Sequence, residues 1–93
     1  TAKENERTQG EIFINLREDG AIIVNERQME VPELQEVLLR VAKYFPGGAV
    51  IIRGDTNAQL GRAMQILDCC RKADIQNIAF ATTKDEDGAP PAS

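Results

Sequence analysis

Residues 49–82 constrain the fold more than any other part of the chain. Ala49-Val50-Ile51-Ile52 is its most continuous apolar run, with β-branched residues at the centre, and it stops at Arg53-Gly54-Asp55. A helical pattern occupies about Asn57–Ala73, and Ile78-Ala79-Phe80-Ala81 returns as a second short strand. A strand that reads apolar on both faces is covered on both or is central in its sheet. A crossover helix of this length favours parallel pairing of the two strands through a right-handed connection. The stretch therefore predicts a β-α-β unit in a small α/β domain.

The rest of the chain extends that unit. Ile12, Ile14 and Leu16 alternate with Glu11, Phe13 and Asn15, which predicts a strand with one strongly apolar face. Asp19-Gly20 separates it from Ile22-Ile23-Val24, a hairpin signal because the turn needs residues tolerant of positive φ. Asn25–Gln28 is polar and reads as another turn. The spacing then predicts a helix over Glu30–Phe45, with Pro32 in its first turn and Leu34, Val37, Leu38, Val41 and Phe45 on the buried stripe. Pro46-Gly47-Gly48 stops it. In the second helix Ala63, Ile66, Leu67 and Cys70 form the stripe with Leu60 and Met64 alongside, and Asp55 or Asn57 is the candidate N-cap. Asp74 stands near its end, where Gly is preferred. The expected order is β-β-α-β-α-β: an α+β or α/β two-layer fold, a small mixed sheet with two helices packed on it.

Composition bounds the function. Ninety-three residues fit one domain with a thin core. A net charge of −4 argues against nucleic acid as a partner, since phosphate binding needs a cationic footprint. No apolar run is long enough to cross a membrane as a helix, and no secretory signal is visible. Residues 1–10 are polar and charged and read as a flexible linker, residues 11–83 as the domain, and residues 84–93 as a disordered tail.

Chemistry-bearing residues are sparse. The chain has no His, and Cys69 and Cys70 are neighbours whose side chains diverge by about 100° on a helix, so a mutual disulfide is not expected. Cys70 is read as a core residue and Cys69 as lying near the helix edge. No metal-ligand spacing, phosphate loop or paired acid and base stands out, so no catalytic residue, metal site or cofactor is expected, and the chain is read as not an enzyme. Arg53-Gly54-Asp55 lies at the carboxyl end of the central strand, where open α/β sheets often bind ligands. The stronger candidate is the edge of the sheet at 77–83, whose unpaired backbone groups can accept a strand from a partner or a second copy. Asn77, Ile78, Ala79, Phe80, Ala81 and Thr82, with Arg53 and Asp55, are the candidate partner-binding residues. A Pro at Ala79 or Ala81 is expected to abolish pairing there.

Taken in order, these pieces resemble the periplasmic domain of the ExbD/TolR family of biopolymer-transport proteins. Ile12–Leu16, Asp19-Gly20 and Ile22-Ile23-Val24-Asn25-Glu26 look like the family's opening hairpin, and Leu34–Leu38 sits where the family has a leucine-rich helix. Val50-Ile51-Ile52-Arg53-Gly54-Asp55, Gly61, Leu67-Asp68, Ala73-Asp74-Ile75 and Ile78–Thr82 follow its strand, acid, helix and closing strand. Two departures stand out: Leu60 precedes Gly61 where the family has Tyr, and Asp74 stands where the family commonly has Gly.

The resemblance implies a periplasmic domain of an inner-membrane protein, tethered by a single helix that precedes it. It implies no cofactor, a homodimer, an ExbB- or TolQ-like channel partner, and a TonB- or TolA-like protein driven by the proton-motive force. Peptidoglycan binding is the TolR-like alternative. A soluble α/β binding module with its site at residues 54–57 is a further one, and a thiol enzyme built on Cys69 a distant third. The family's proton-carrying Asp belongs to the membrane helix, so no acid of this chain inherits that role. Sequencing upstream of Thr1 tests the tether: about 20 apolar residues carrying one Asp are expected, and their absence from the full-length protein would sink it.

Overall fold

The computed structural model describes residues 10–83. The linker and the tail expected at the two ends therefore lie outside the described residues, apart from Gly10. The elements are β1 (Glu11–Leu16), β2 (Ile22–Val24), β3 (Arg27–Met29), α1 (Val31–Tyr44), β4 (Ala49–Asp55), α2 (Leu60–Lys72) and β5 (Ile78–Thr83). They form one mixed five-stranded sheet in the order β3-β2-β1-β4-β5 with two helices, an α+β fold. β1 and β4 pair in parallel from Glu11↔Ala49 to Leu16↔Gly54, and β4 and β5 in parallel from Val50↔Ile78 to Asp55↔Thr83. The β-α-β unit thus has the expected parallel pairing, and β4 is central.

The core lies between one face of the sheet and the helices. Ile14, Leu16, Ile22, Val24, Val50 and Ile52 from the sheet meet Leu34, Leu38, Ile66 and Cys70 from the helices, all nearly inaccessible. Each such side chain contributes about 1.5–3 kcal/mol through its apolar area. In α1, Leu34 and Leu38 are the buried positions, one turn apart on the inner stripe.

Several expectations are corrected. β3 is an added strand, joined to β2 by a two-residue turn at Asn25 and Glu26, whose φ values are 56° and 65°. Positive φ at both central residues marks a type I′ hairpin; Asn suits it, but Glu and the polar Arg27-Gln28 disguise the strand. The two-layer expectation holds, with the sheet covered on one face only and Ile51, on the open side of the central β4, half-buried. Phe45 leaves the apolar stripe because α1 ends at Tyr44; it caps the helix through its N–H to Val41 O (2.8 Å), with its ring exposed.

At the other helix, Asp55 Oδ1 accepts the Asn57 N–H (2.8 Å), which spends both candidate caps on a turn. α2 therefore starts at Leu60, with Gln59 as N-cap and no side-chain cap. Leu60 and Met64 are exposed instead of packing alongside the stripe. Cys69 is buried rather than at an edge, because that flank of α2 faces α1: Gln35 Nε2 donates to the Cys69 carbonyl at 3.0 Å.

The end of α2 is closed by two backbone bonds, Ile75 N–H to Cys70 O (3.0 Å) and Asp74 N–H to Arg71 O (2.9 Å). Together they form a Schellman motif with Asp74 in the left-handed position at φ 62°. Asp tolerates that conformation at a cost that Gly avoids. Asp74→Gly is expected to raise stability to urea by about 0.5–1 kcal/mol, read as a shift in the unfolding midpoint at constant slope. Ile52→Ala, at the core centre, is expected to lower it by about 2–5 kcal/mol in the same measurement.

Candidate functional site

The eight residues singled out by sequence do not form one cluster. Ile78, Ala79, Phe80, Ala81 and Thr82 lie on β5, which is an edge of the sheet as expected. Asn77 precedes the strand and fastens its start, with Nδ2 donating to Gly47 O at 2.9 Å. Arg53 lies one strand inward on the open face, beside Ala81 in register. Asp55 ends β4 and is engaged in its own turn with Asn57.

Strand register decides which edge groups are available. The Val50 N–H donates to Asn77 O at 2.8 Å, so the backbone groups of Asn77, and with it of Ala79 and Ala81, point at β4. Those of Ile78, Phe80 and Thr82 point outward, away from every strand of the sheet. A Pro at Ala79 or Ala81 would consequently break the β4–β5 ladder itself, so it does not test pairing at the edge. The alternation also splits the side chains: Ile78, Phe80 and Thr82 stand on the helix side, Ala79 and Ala81 on the open side. The Phe80 ring reaches over Gly54, where a Cβ would sit 3.6 Å from it.

The two edges differ. β3 is three residues long, and its Arg27 is ion-paired with Glu33 of α1. β5 is six residues long and carries neither charge nor Pro. Edges that are not meant to pair are usually short, charged or interrupted by Pro; β3 is short and charged, and β5 has none of these features.

Arg53, expected at the carboxyl end of the central strand, stands there on β4, and its side chain is held by β1. Its guanidinium carbon lies 4.4 Å from the centroid of the Phe13 ring, and Nε donates to Asn15 Oδ1 at 3.0 Å. Among the described residues no carboxylate lies within ion-pair distance of it. Phe13, Ile51, Ala79 and Ala81 surround it with a mostly apolar surface on the open face. Sequence reasoning missed Phe13 and Asn15 as Arg53's supports, because the parallel β1–β4 register that places them there joins distant parts of the chain.

The thiols fit a core role. Burial pushes the Cys70 thiol up to about 11, reinforced by Cys69. Burial also raises Cys69, with the Asp68 charge adding and Lys72 opposing. A thiol raised above its unfolded value near 9 stabilises the fold fully below that pH, and the contribution is lost as pH rises through about 11. Urea stability is therefore expected to fall between pH 9 and 11, with Cys70→Ala reducing the slope; a slope unchanged by that substitution would contradict the assignment.

Comparison with known proteins places the chain in a family. The chain is 26% identical over 76 residues to the biopolymer transport protein exbD2 of Vibrio cholerae serotype O1, an alignment covering 82% of this chain. It covers 57% of that relative, so the chain spans little more than half of the relative's length. Residues 1–85 match the family of biopolymer transport proteins ExbD/TolR, and the chain therefore belongs to the ExbD/TolR family.

Proposed function

We propose that this chain is the non-enzymatic accessory domain of a proton-motive-force-driven transducer, and that it works by strand pairing at β5. The observation that carries this reading is the contrast between the edges: a long, uncharged β5 with the outward groups of Ile78, Phe80 and Thr82 open, against a short β3 guarded by Arg27. Such an edge accepts an extended segment through main-chain hydrogen bonds, while alternate side chains select the segment. A second copy of the domain is the first occupant, with a TonB- or TolA-like protein and an ExbB- or TolQ-like channel as the other members of the assembly. The domain then stands on the periplasmic side of the inner membrane, tethered by a helix that is not part of this 93-residue sequence. Membership of the ExbD/TolR family supports these partners, and the scarcity of catalytic groups in the sequence agrees with a role in assembly.

Thr82→Pro tests the edge. It removes an outward donor and leaves the bonds to β4 intact. In a two-fold dimer the loss enters twice, about 1–3 kcal/mol in all, and self-association by sedimentation equilibrium is expected to weaken at least ~10-fold. A dimer of unchanged affinity, with the circular dichroism of the fold intact, would rule this edge out.

A further inference from the structure

We propose that the uncovered start of β1 is a receptor for the free C-terminus of a peptide or protein partner, with Arg53 taking the terminal carboxylate. The site lies on the β2 flank of β1, with β4 between it and β5, and is independent of pairing at the β5 edge.

The slot comes from a mismatch of strand lengths. β4 pairs with β1 from Glu11 onward, whereas β2 pairs with it only from Ile14. β2 goes no further because the chain turns off into β3 at Asn25 and Glu26. Residues 11–13 therefore have no strand on that flank. Two bonds show which of their backbone groups face it. The Arg17 N–H donates to Ala21 O at 2.9 Å on the β2 side, and the Ala49 N–H to Gly10 O at 3.2 Å on the β4 side. Odd-numbered residues of β1 thus direct their backbone groups at the β2 flank and even-numbered ones at β4. The Glu11 carbonyl and the Phe13 N–H face the gap, and among the described residues no backbone group is hydrogen-bonded to either. A cavity of about 480 Å³ occupies this place, within the usual range for ligand sites. Val41 and Phe45, at the end of α1, give it an apolar wall, the Asn25-Glu26 turn closes one end, and Arg53 reaches it from the open face.

Two features select a chain end that carries a carboxylate. The first is the blind end of the slot. An extended segment that enters beside Glu11 and runs parallel to β1 meets the Asn25-Glu26 turn near Phe13, so it has to stop there. Its last residue, level with Ile12, donates its N–H to the Glu11 carbonyl and receives the Phe13 N–H on a carboxylate oxygen. Its side chain then falls on the helix side, as that of Ile12 does, against Val41 and Phe45. The second feature is Arg53. The Phe13 ring and Asn15 hold its guanidinium in place, and the bond to Asn15 Oδ1 (3.0 Å) uses Nε, which leaves the two Nη groups for a carboxylate. A segment entering in the opposite sense would bring an ammonium group to this fixed cation. Glu11 and Glu26 also line the cavity and the chain has a net charge of −4, so a polyanion is repelled while a single carboxylate on an apolar chain end is accepted.

The test titrates the 93-residue chain with a pool of N-acetylated tetrapeptides ending in Leu, once as free acids and once as C-terminal amides, and follows the Phe13 amide signal by NMR. The free acids are expected to shift that signal and slow its exchange with solvent, and the amides to bind at least ~10-fold more weakly. Arg53→Gln is expected to remove the difference between the two pools with the rest of the spectrum retained. Phe45→Ala, whose ring is exposed in the single chain, is expected to weaken both pools alike by thinning the apolar wall. Thr82→Pro acts at β5 and is expected to leave peptide binding unchanged, so the two readings fail separately. Equal binding of acids and amides, a preference that survives Arg53→Gln, or no shift from either pool at millimolar concentration would overturn the site. So would a Phe13 amide already protected from exchange in the chain alone, because the slot would then be filled by the chain itself.

Discussion

The parallel pairing of β1 with β4 is the contact on which the rest of this structure depends. It joins the N-terminal hairpin to the β-α-β unit across the whole length of β1, from Glu11↔Ala49 to Leu16↔Gly54. Neither half has a sufficient core alone. The β1–β2–β3 meander offers Ile14, Leu16, Ile22 and Val24 on one face, and the β-α-β unit offers Val50, Ile52, Ile66 and Cys70; only their union makes a continuous apolar interior under both helices. The same register brings Phe13 and Asn15 beside Arg53, so the chief polar feature of the open face is a by-product of the contact that closes the core.

One-sided covering has consequences for function. Helices on a single face leave the other to water, with Ile51, Phe13 and the small Ala79 and Ala81 on it. They also leave two real edges, because an open sheet, unlike a barrel, cannot pair its own outer strands. This chain treats the edges unequally, guarding β3 with shortness and a paired Arg27 and leaving β5 long and uncharged. That inequality is the contrast on which the proposed strand pairing rests.

Several backbone positions carry strain that composition alone would not reveal. Asn25, Glu26 and Asp74 sit at positive φ without being glycine. At Asp74 the strain accompanies a closed helix end and a buried Ile75, and at Asn25-Glu26 it secures a tight hairpin in register. Local cost is accepted at both places because tertiary burial on either side outweighs it.

Local pattern sufficed for much of the fold. The period-two alternation of Ile12–Leu16, the Asp19-Gly20 turn, the i, i+3, i+4 stripe of Leu34 and Leu38, and the apolar run at Val50–Ile52 each dictate an element, because each depends on neighbours a few residues apart. The β5 edge was legible for the same reason, being the last strand after a crossover. What the tertiary structure decided depends on residues far apart in sequence. Burial of Cys69 needed α1 to lie against α2, and exposure of Leu60 and Met64 needed the helix to start late and turn that flank outward. Most decisively, the choice of which backbone groups of β5 face water follows from its register against β4. A run of six residues specifies a strand; only a neighbouring strand determines which of its hydrogen bonds are already used.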